Sequence, residues 1–266
     1  MKSFKFGTHF LANIKLERLI RSIYRPQNWY CIHVDAKADK DFYEAVEKYV
    51  SCFDNIFLSS KREDVVYASF SRLQADLNCM SDLLEGNKEW KYLINLCGQD
   101  FPLKTNYQMV TFLKYLYPFH SIETFEMPPH KMVRYQYSFA VREDTKGEYS
   151  TGLQRTTNKK VENPLGKDQL LFGGSAYIVA TREFIHWAMT NETIQAFFSW
   201  SRDTYSPDEM IWATLTRLPG APGYRHPHKR WDQNELQTVT RIVKWDSFGK
   251  FLQKWSNSAL LMNIYL

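Results

Sequence analysis

The chain opens Met1-Lys2-Ser3-Phe4-Lys5-Phe6-Gly7, which lacks the apolar core of a signal peptide or signal anchor. Cysteine is scarce: four residues in 266 do not make a small disulfide scaffold. They form no CxxC, and no Cys/His spacing is of the kind that holds zinc. Lys and Arg outnumber Asp and Glu by 34 to 29, a net charge of +5 that fits anionic ligands. The basic residues are scattered, however, and no basic run is interleaved with aromatics, which argues against nucleic acid as a partner. Against these absences stand 44% apolar and 16% aromatic residues with 24% charged, the composition of a globular chain. Its length allows one large α/β domain or two small ones, with a sizeable core. So many rings suit stacking on pyranose faces, and equally an ordinary core.

Periodicity gives an alternating order of helices and strands. Ile14, Leu16, Leu19, Ile20, Ile23 and Tyr24 form a helix-period stripe stopped by Pro26-Gln27-Asn28. Trp29 to Val34 reads as a buried strand, Asp41 to Val50 as a helix, and Asn55 to Leu58 as a second strand. Ser71 to Leu84 is a helix, Trp90 to Leu96 a third buried strand, and Thr105 to Tyr117 a helix. Residues 141 to 169 read as a surface loop, Leu170 to Val179 as a strand with glycines at a close approach, and Thr181 as the cap of the next helix. The pattern predicts an α/β fold with a mostly parallel central sheet flanked by helices. Ligands in such sheets collect beyond the carboxyl ends of the strands, where Asp35 lies, although a strand-end Asp also serves as a turn residue. Tyr67, in Val65-Val66-Tyr67, fits either core or ligand contact.

The most informative stretch is Asp203-Thr204-Tyr205-Ser206-Pro207-Asp208-Glu209. Ser206, Pro207 and Glu209 have the spacing of N-cap, N1 and N3 in a capping box. A carboxylate fixed at a helix start beside a pocket also meets the needs of a general base, so both readings stand. Together with Trp29 to Asp35, Val65 to Ser69, Arg72 to Met80, Trp90 to Pro102 and Gly174-Ser175-Ala176-Tyr177, in this order, the stretch resembles the core 2/I-branching β-1,6-N-acetylglucosaminyltransferases of the animal Golgi, glycosyltransferase family 14. The resemblance covers about residues 11 to 248. It implies a GT-A-like fold, a single catalytic domain over 1–266, and inverting transfer of N-acetylglucosamine from UDP-N-acetylglucosamine to a C6 hydroxyl of a mucin-type O-glycan.

Further expectations follow from the resemblance residue by residue. Glu209 matches the catalytic base; Glu123, Lys131, Arg134 and Trp245 match acceptor contacts; Asp35 and Tyr67 match donor contacts. Cys31 and Cys79 match a bonded pair, against the alternative of four reduced cysteines in a cytosolic chain. Cys52 matches a cysteine whose partner lies N-terminal to this chain, and Cys97 an unpaired one. No Asp-x-Asp follows a strand: Gly98-Gln99-Asp100 is not that motif, and Asp39-Lys40-Asp41 leads into a helix. This agrees with a family that works without a divalent metal or other cofactor. Asn191-Glu192-Thr193 is a glycosylation acceptor if the chain enters the secretory pathway. Family members are type II Golgi membrane proteins, and the anchor, the stem and the last hundred or so residues, with their diphosphate-holding Arg and Lys, have no counterpart here. Phe4 to Phe10 is a poor copy of the family's first strand, Ser247 replaces an acceptor-side tyrosine, and residues 249 to 266 form a divergent tail. A chain so reduced is alternatively an inactive relative that only binds glycan or UDP, or one that partners full-length enzymes.

Overall fold

The computed structural model describes residues 8–86, 88–98, 100–141, 152–226 and 260–265. Helix α1 (Thr8–Ile23) leads into strand β1 (Trp29–Val34), then α2 (Lys40–Val50) and β2 (Ile56–Leu58). From Thr8 on, therefore, the stretch expected to supply a first strand is helical. β1 is buried on both sides, and its alternation divides the core. Tyr30, Ile32 and Val34 pack with Leu16, Leu19 and Ile20 of α1 and with Phe42, Val46 and Val50 of α2. Cys31 faces the opposite layer, built around α3 (Phe70–Leu84). A disulfide joins Cys31 to Cys79 of α3, with Cα atoms 5.7 Å apart, while neither Cys52 nor Cys97 is disulfide-bonded among the described residues.

Strand β3 (Tyr92–Cys97) follows, then α4 (Asn106–Leu116), which opens on a capping box between Thr105 and Gln108. Next come β4 (Phe125–Glu126), α5 (Val133–Gln136), β5 (Tyr137–Val141) and β6 (Leu153–Lys159). β5 and β6 pair as an antiparallel hairpin, so the expected surface loop after residue 141 contains a strand. The single strand expected over Leu170–Val179 is two, β7 (Phe172–Gly173) and β8 (Val179–Thr181). They belong to different sheets: β7 pairs with β4, and β8 with β3. Thr181 caps α6 (Arg182–Thr190) and Asn191 caps α7 (Glu192–Trp200), each by accepting a backbone N–H. The chain continues through α8 (Ile211–Leu215) and, after residues 227–259, β9 (Leu260–Tyr265).

The central sheet has the order β2-β1-β9-β3-β8. β1 and β2 are parallel, joined across α2 as a βαβ unit. β9 lies between β1 and β3 and is antiparallel to both, and β8 is antiparallel to β3. β1, β2 and β3 thus point the same way, but the sheet is mixed and not mostly parallel. The reason is local to the strand order. The backbone edges of β1 and β3 must be paired, and the strand between them comes from the divergent tail and enters from the opposite end. Among the described residues no helix is long and apolar enough to cross a membrane.

Candidate active site

Ser206 does not cap a helix. It adopts the left-handed conformation at φ 47°, its side chain makes no capping bond, and Pro207–Glu209 forms a single 3-10 turn. The Glu209 N–H donates to the Ser206 carbonyl, and the carboxylate turns outward, where Oε2 accepts from Arg134 Nη1 at 2.6 Å. The capping box expected from the spacing is therefore absent. A left-handed serine is costly, because its Cβ crowds the following carbonyl. It is held by a 2.7 Å hydrogen bond from its N–H to the carbonyl of Ala68, itself left-handed at φ 62°. Two strained residues bonded to each other fix the start of the Glu209 turn against the start of α3.

Glu209 and Arg134 line one pocket with Lys131, Tyr205, Gly173 and Gly174. Lys131 projects over the Phe125 ring, 5.7 Å from its centroid, and pairs with no carboxylate among the described residues. No hydrogen bond among the described residues engages Glu209 Oε1. Among the described residues the pocket thus combines a carboxylate oxygen with no hydrogen-bond partner, an arginine already paired and an ammonium with no carboxylate partner.

Gly174 brings these parts together. Its N–H donates to the Glu209 carbonyl at 2.8 Å. A Cβ in its place would meet the Glu123 carbonyl oxygen at 2.0 Å and the Ala213 Cβ at 2.9 Å. The strand-end backbone bearing Glu123 and the Glu209 turn approach through a gap that only glycine fits. Glu123 is therefore adjacent to the pocket by its backbone but is not one of its lining side chains.

The remaining expected residues are placed as follows. Tyr67 is 72% exposed and is not among the residues that line this pocket; partial burial raises its hydroxyl pKa, with Tyr205, Glu209 and Asp208 adding to the rise and Arg134 opposing it. Asp35 is buried at the end of β1 and engaged in its own turn. Oδ1 accepts from the Lys37 N–H at 2.9 Å, and Oδ2 lies 3.6 Å from Lys37 Nζ. The structure does not bring Asp35 into the Glu209 pocket. Trp245 lies outside the described residues. The Asn191 side-chain amide oxygen accepts from the Ile194 N–H, as the cap of α7.

Behind the Glu209 turn lies a buried charge cluster that sequence patterning did not single out. Arg72, in the first turn of α3, donates to Asp76 at 2.5 Å and lies against the Tyr177 ring. Asp76 also accepts from Asn95 of β3, which in turn bonds the Ala176 carbonyl and the Ile178 N–H. The loop between β7 and β8 is thereby tied to α3 and the sheet. Asp208 is 7% exposed beside this cluster. Burial pushes its carboxyl up to about 6; Arg72 pulls against that rise, while Glu209 and Asp76 add to it. Asp100, at the end of β3, accepts from the Cys97 N–H and closes its own turn. Among the described residues no three His, Cys, Asp or Glu side chains are grouped so as to hold a metal ion.

Comparison with known proteins agrees with the sequence resemblance. The family model described as Core-2/I-Branching enzyme matches residues 4–259. A Bos taurus β-1,3-galactosyl-O-glycosyl-glycoprotein β-1,6-N-acetylglucosaminyltransferase is 47% identical over 233 residues, covering 88% of this chain and 52% of the relative. A Homo sapiens relative of the same name, numbered 3, is 46% identical over 229 residues, 86% of this chain and 50% of its own length. A Danio rerio relative numbered 4 is 46% identical over 231 residues, covering 87% of this chain and 53% of that one. The chain spans about half the length of the curated relatives it matches. With a family model matching nearly its whole length, this chain belongs to the core-2/I-branching enzyme family.

Proposed function

We propose that this chain carries the acceptor side and catalytic base of an inverting β-1,6-N-acetylglucosaminyltransferase with a GT-A-like fold. The donor is UDP-N-acetylglucosamine and the acceptor a C6 hydroxyl of a mucin-type O-glycan. The observation that carries the reading is the orientation of Glu209. Its carboxylate leaves its own helix start and enters a pocket with Lys131 and Arg134, and one oxygen makes no hydrogen bond among the described residues. In the reaction Glu209 takes the hydroxyl proton. The acceptor oxygen attacks C1 of N-acetylglucosamine on the face opposite the nucleotide, and the C1–O bond breaks with its electron pair leaving on UDP. A placed base is commonly worth ~10²–10⁴-fold in rate. Lys131 and Arg134 hold acceptor hydroxyls, joined by Glu123 and Trp245, while Asp35 and Tyr67 serve the donor. In this reading the reaction needs no divalent metal, the departing diphosphate being balanced by cationic side chains other than the acceptor-side Lys131 and Arg134. The Cys31–Cys79 bond supports an oxidising compartment, and with it passage through the secretory pathway to the Golgi lumen, a route on which Asn191 is an N-glycosylation acceptor.

The test is transfer of radiolabelled N-acetylglucosamine to a Galβ1-3GalNAc acceptor, with wild type and Glu209→Gln compared in a full-length context that supplies the cationic donor clamp. The expected result is transfer by wild type and loss of at least a hundredfold in the variant, with the melting temperature nearly unchanged. Retained transfer in Glu209→Gln would remove Glu209 as the base. Acceptor binding without transfer would instead make the chain a glycan-binding relative.

A further inference from the structure

Tyr205 lines the Glu209 pocket, yet neither its exposure nor its position in the chain assigns it a role. Its contacts do. Its N–H donates to the Arg134 carbonyl at 3.2 Å. The Arg134 guanidinium carbon lies 5.2 Å from the centre of its ring. On β5, Phe139 supports the ring, with centroids 5.4 Å apart. Arg134 itself stands on α5, a helix of only four residues, and has many rotamers to choose from. Such a side chain holds one geometry only where its head is confined. Here that confinement comes from the ring of Tyr205 and from Glu209 Oε2.

We propose that Tyr205 is a positioning residue. Its ring fixes the Arg134 guanidinium so that Arg134 occupies Oε2 of Glu209 and leaves Oε1 facing the pocket for the acceptor hydroxyl. The consequence for glycan binding rests on the function proposed above; the geometry does not, and the experiment separates the two. The chain is labelled with ¹⁵N-arginine, and the Arg134 side-chain signal is assigned by its loss in Arg134→Lys. A guanidinium held over a ring gives a ring-current-shifted and slowly rotating Nε–H signal. That signal is expected in wild type and in Tyr205→Phe, and is expected to collapse to the free-arginine position in Tyr205→Leu. Should Tyr205→Leu fail to fold, Tyr205→Met, which keeps an apolar contact with Phe139 but has no ring, carries the comparison. An Arg134 signal unmoved by removal of the ring, or already lost in Tyr205→Phe, overturns the proposal. Calorimetric titration with Galβ1-3GalNAc then reads the consequence. Binding should weaken about two- to fivefold in Tyr205→Leu, as the loss of an ordinary cation–π contact implies, and recover in Tyr205→Phe. Equal binding by wild type and Tyr205→Leu overturns the proposed consequence. If wild type itself binds no disaccharide, the acceptor reading of the pocket falls, and the Arg134 signal still decides the role of Tyr205.

Discussion

Asp208 offers the sharpest physical test of the site. It precedes the proposed base, is buried, and shares its surroundings with Arg72, Asp76 and Glu209. Raising its carboxyl from an ordinary 3.8 to about 6 corresponds to about 3 kcal/mol, at 1.36 kcal/mol for each tenfold change in proton affinity. That figure already contains the opposing pull of Arg72. The sign follows from proton binding. Between about pH 4 and pH 6 the folded chain binds more protons at this position than the unfolded chain. Stability from Asp208 is therefore complete below the unfolded value and is lost as pH rises through about 6. Asp208→Asn removes the titration without changing the size of the side chain. At pH 7.5 the variant should be more stable than wild type by up to about 3 kcal/mol, or up to roughly 10 °C in melting temperature for a chain of this size. At pH 4 the two should nearly coincide. The assay is thermal unfolding followed by circular dichroism at half-unit steps from pH 4 to pH 8. A difference that stays constant across that range, or a variant less stable at pH 7.5, would refute the argument.

Three further outcomes follow from the packing. Gly174→Ala forces a Cβ onto the Glu123 carbonyl, a backbone atom that cannot turn aside, so chemical denaturation should show a loss of about 3 kcal/mol or more. The Cys31–Cys79 bond closes a loop with a sequence separation of 48 residues, worth about 4 kcal/mol by chain entropy. A Cys31→Ala/Cys79→Ala variant should lower the urea midpoint accordingly, and an unchanged midpoint would show that the bond constrains little. Lys131→Met removes a pocket cation without a carboxylate partner among the described residues. It should weaken disaccharide binding severalfold in calorimetry and leave the melting temperature within a degree or two, since no ion pair is broken.

Much of the fold was legible in the sequence because the signals were local. The stripe Leu16, Leu19, Ile20 and Ile23 is buried as its period demands, and Thr181 caps the helix that follows it. The apolar runs at Trp29–Val34 and Tyr92–Cys97 are strands because each is too short for a buried helix and is bounded by turn residues. Family membership was legible for a different reason: ordered motifs across most of the chain are a far more specific signal than any one spacing.

The sequence by itself determined most of the helices, the buried strands at Trp29–Val34 and Tyr92–Cys97, the cysteine pair by resemblance, and three of the residues that line the pocket, Lys131, Arg134 and Glu209. Only the tertiary structure decided their use. Ser206-Pro207-Asp208-Glu209 has the letters of a capping box, but a cap needs Ser206 in extended backbone. The hydrogen bond from Ser206 to Ala68 on a distant segment holds it left-handed instead. Glu209 was thereby freed for Arg134, 75 residues away in the chain. Leu170 to Val179 reads as one strand until Gly174 is drawn between Glu123 and Glu209, which splits it between two sheets. The direction of the sheet was undecidable locally as well, since β9 pairs with β1 and β3 across more than 160 residues of chain. Spacing and periodicity report contacts within a few residues; strand neighbours, backbone strain and the partner of a carboxylate are set by segments that meet only when the chain has folded.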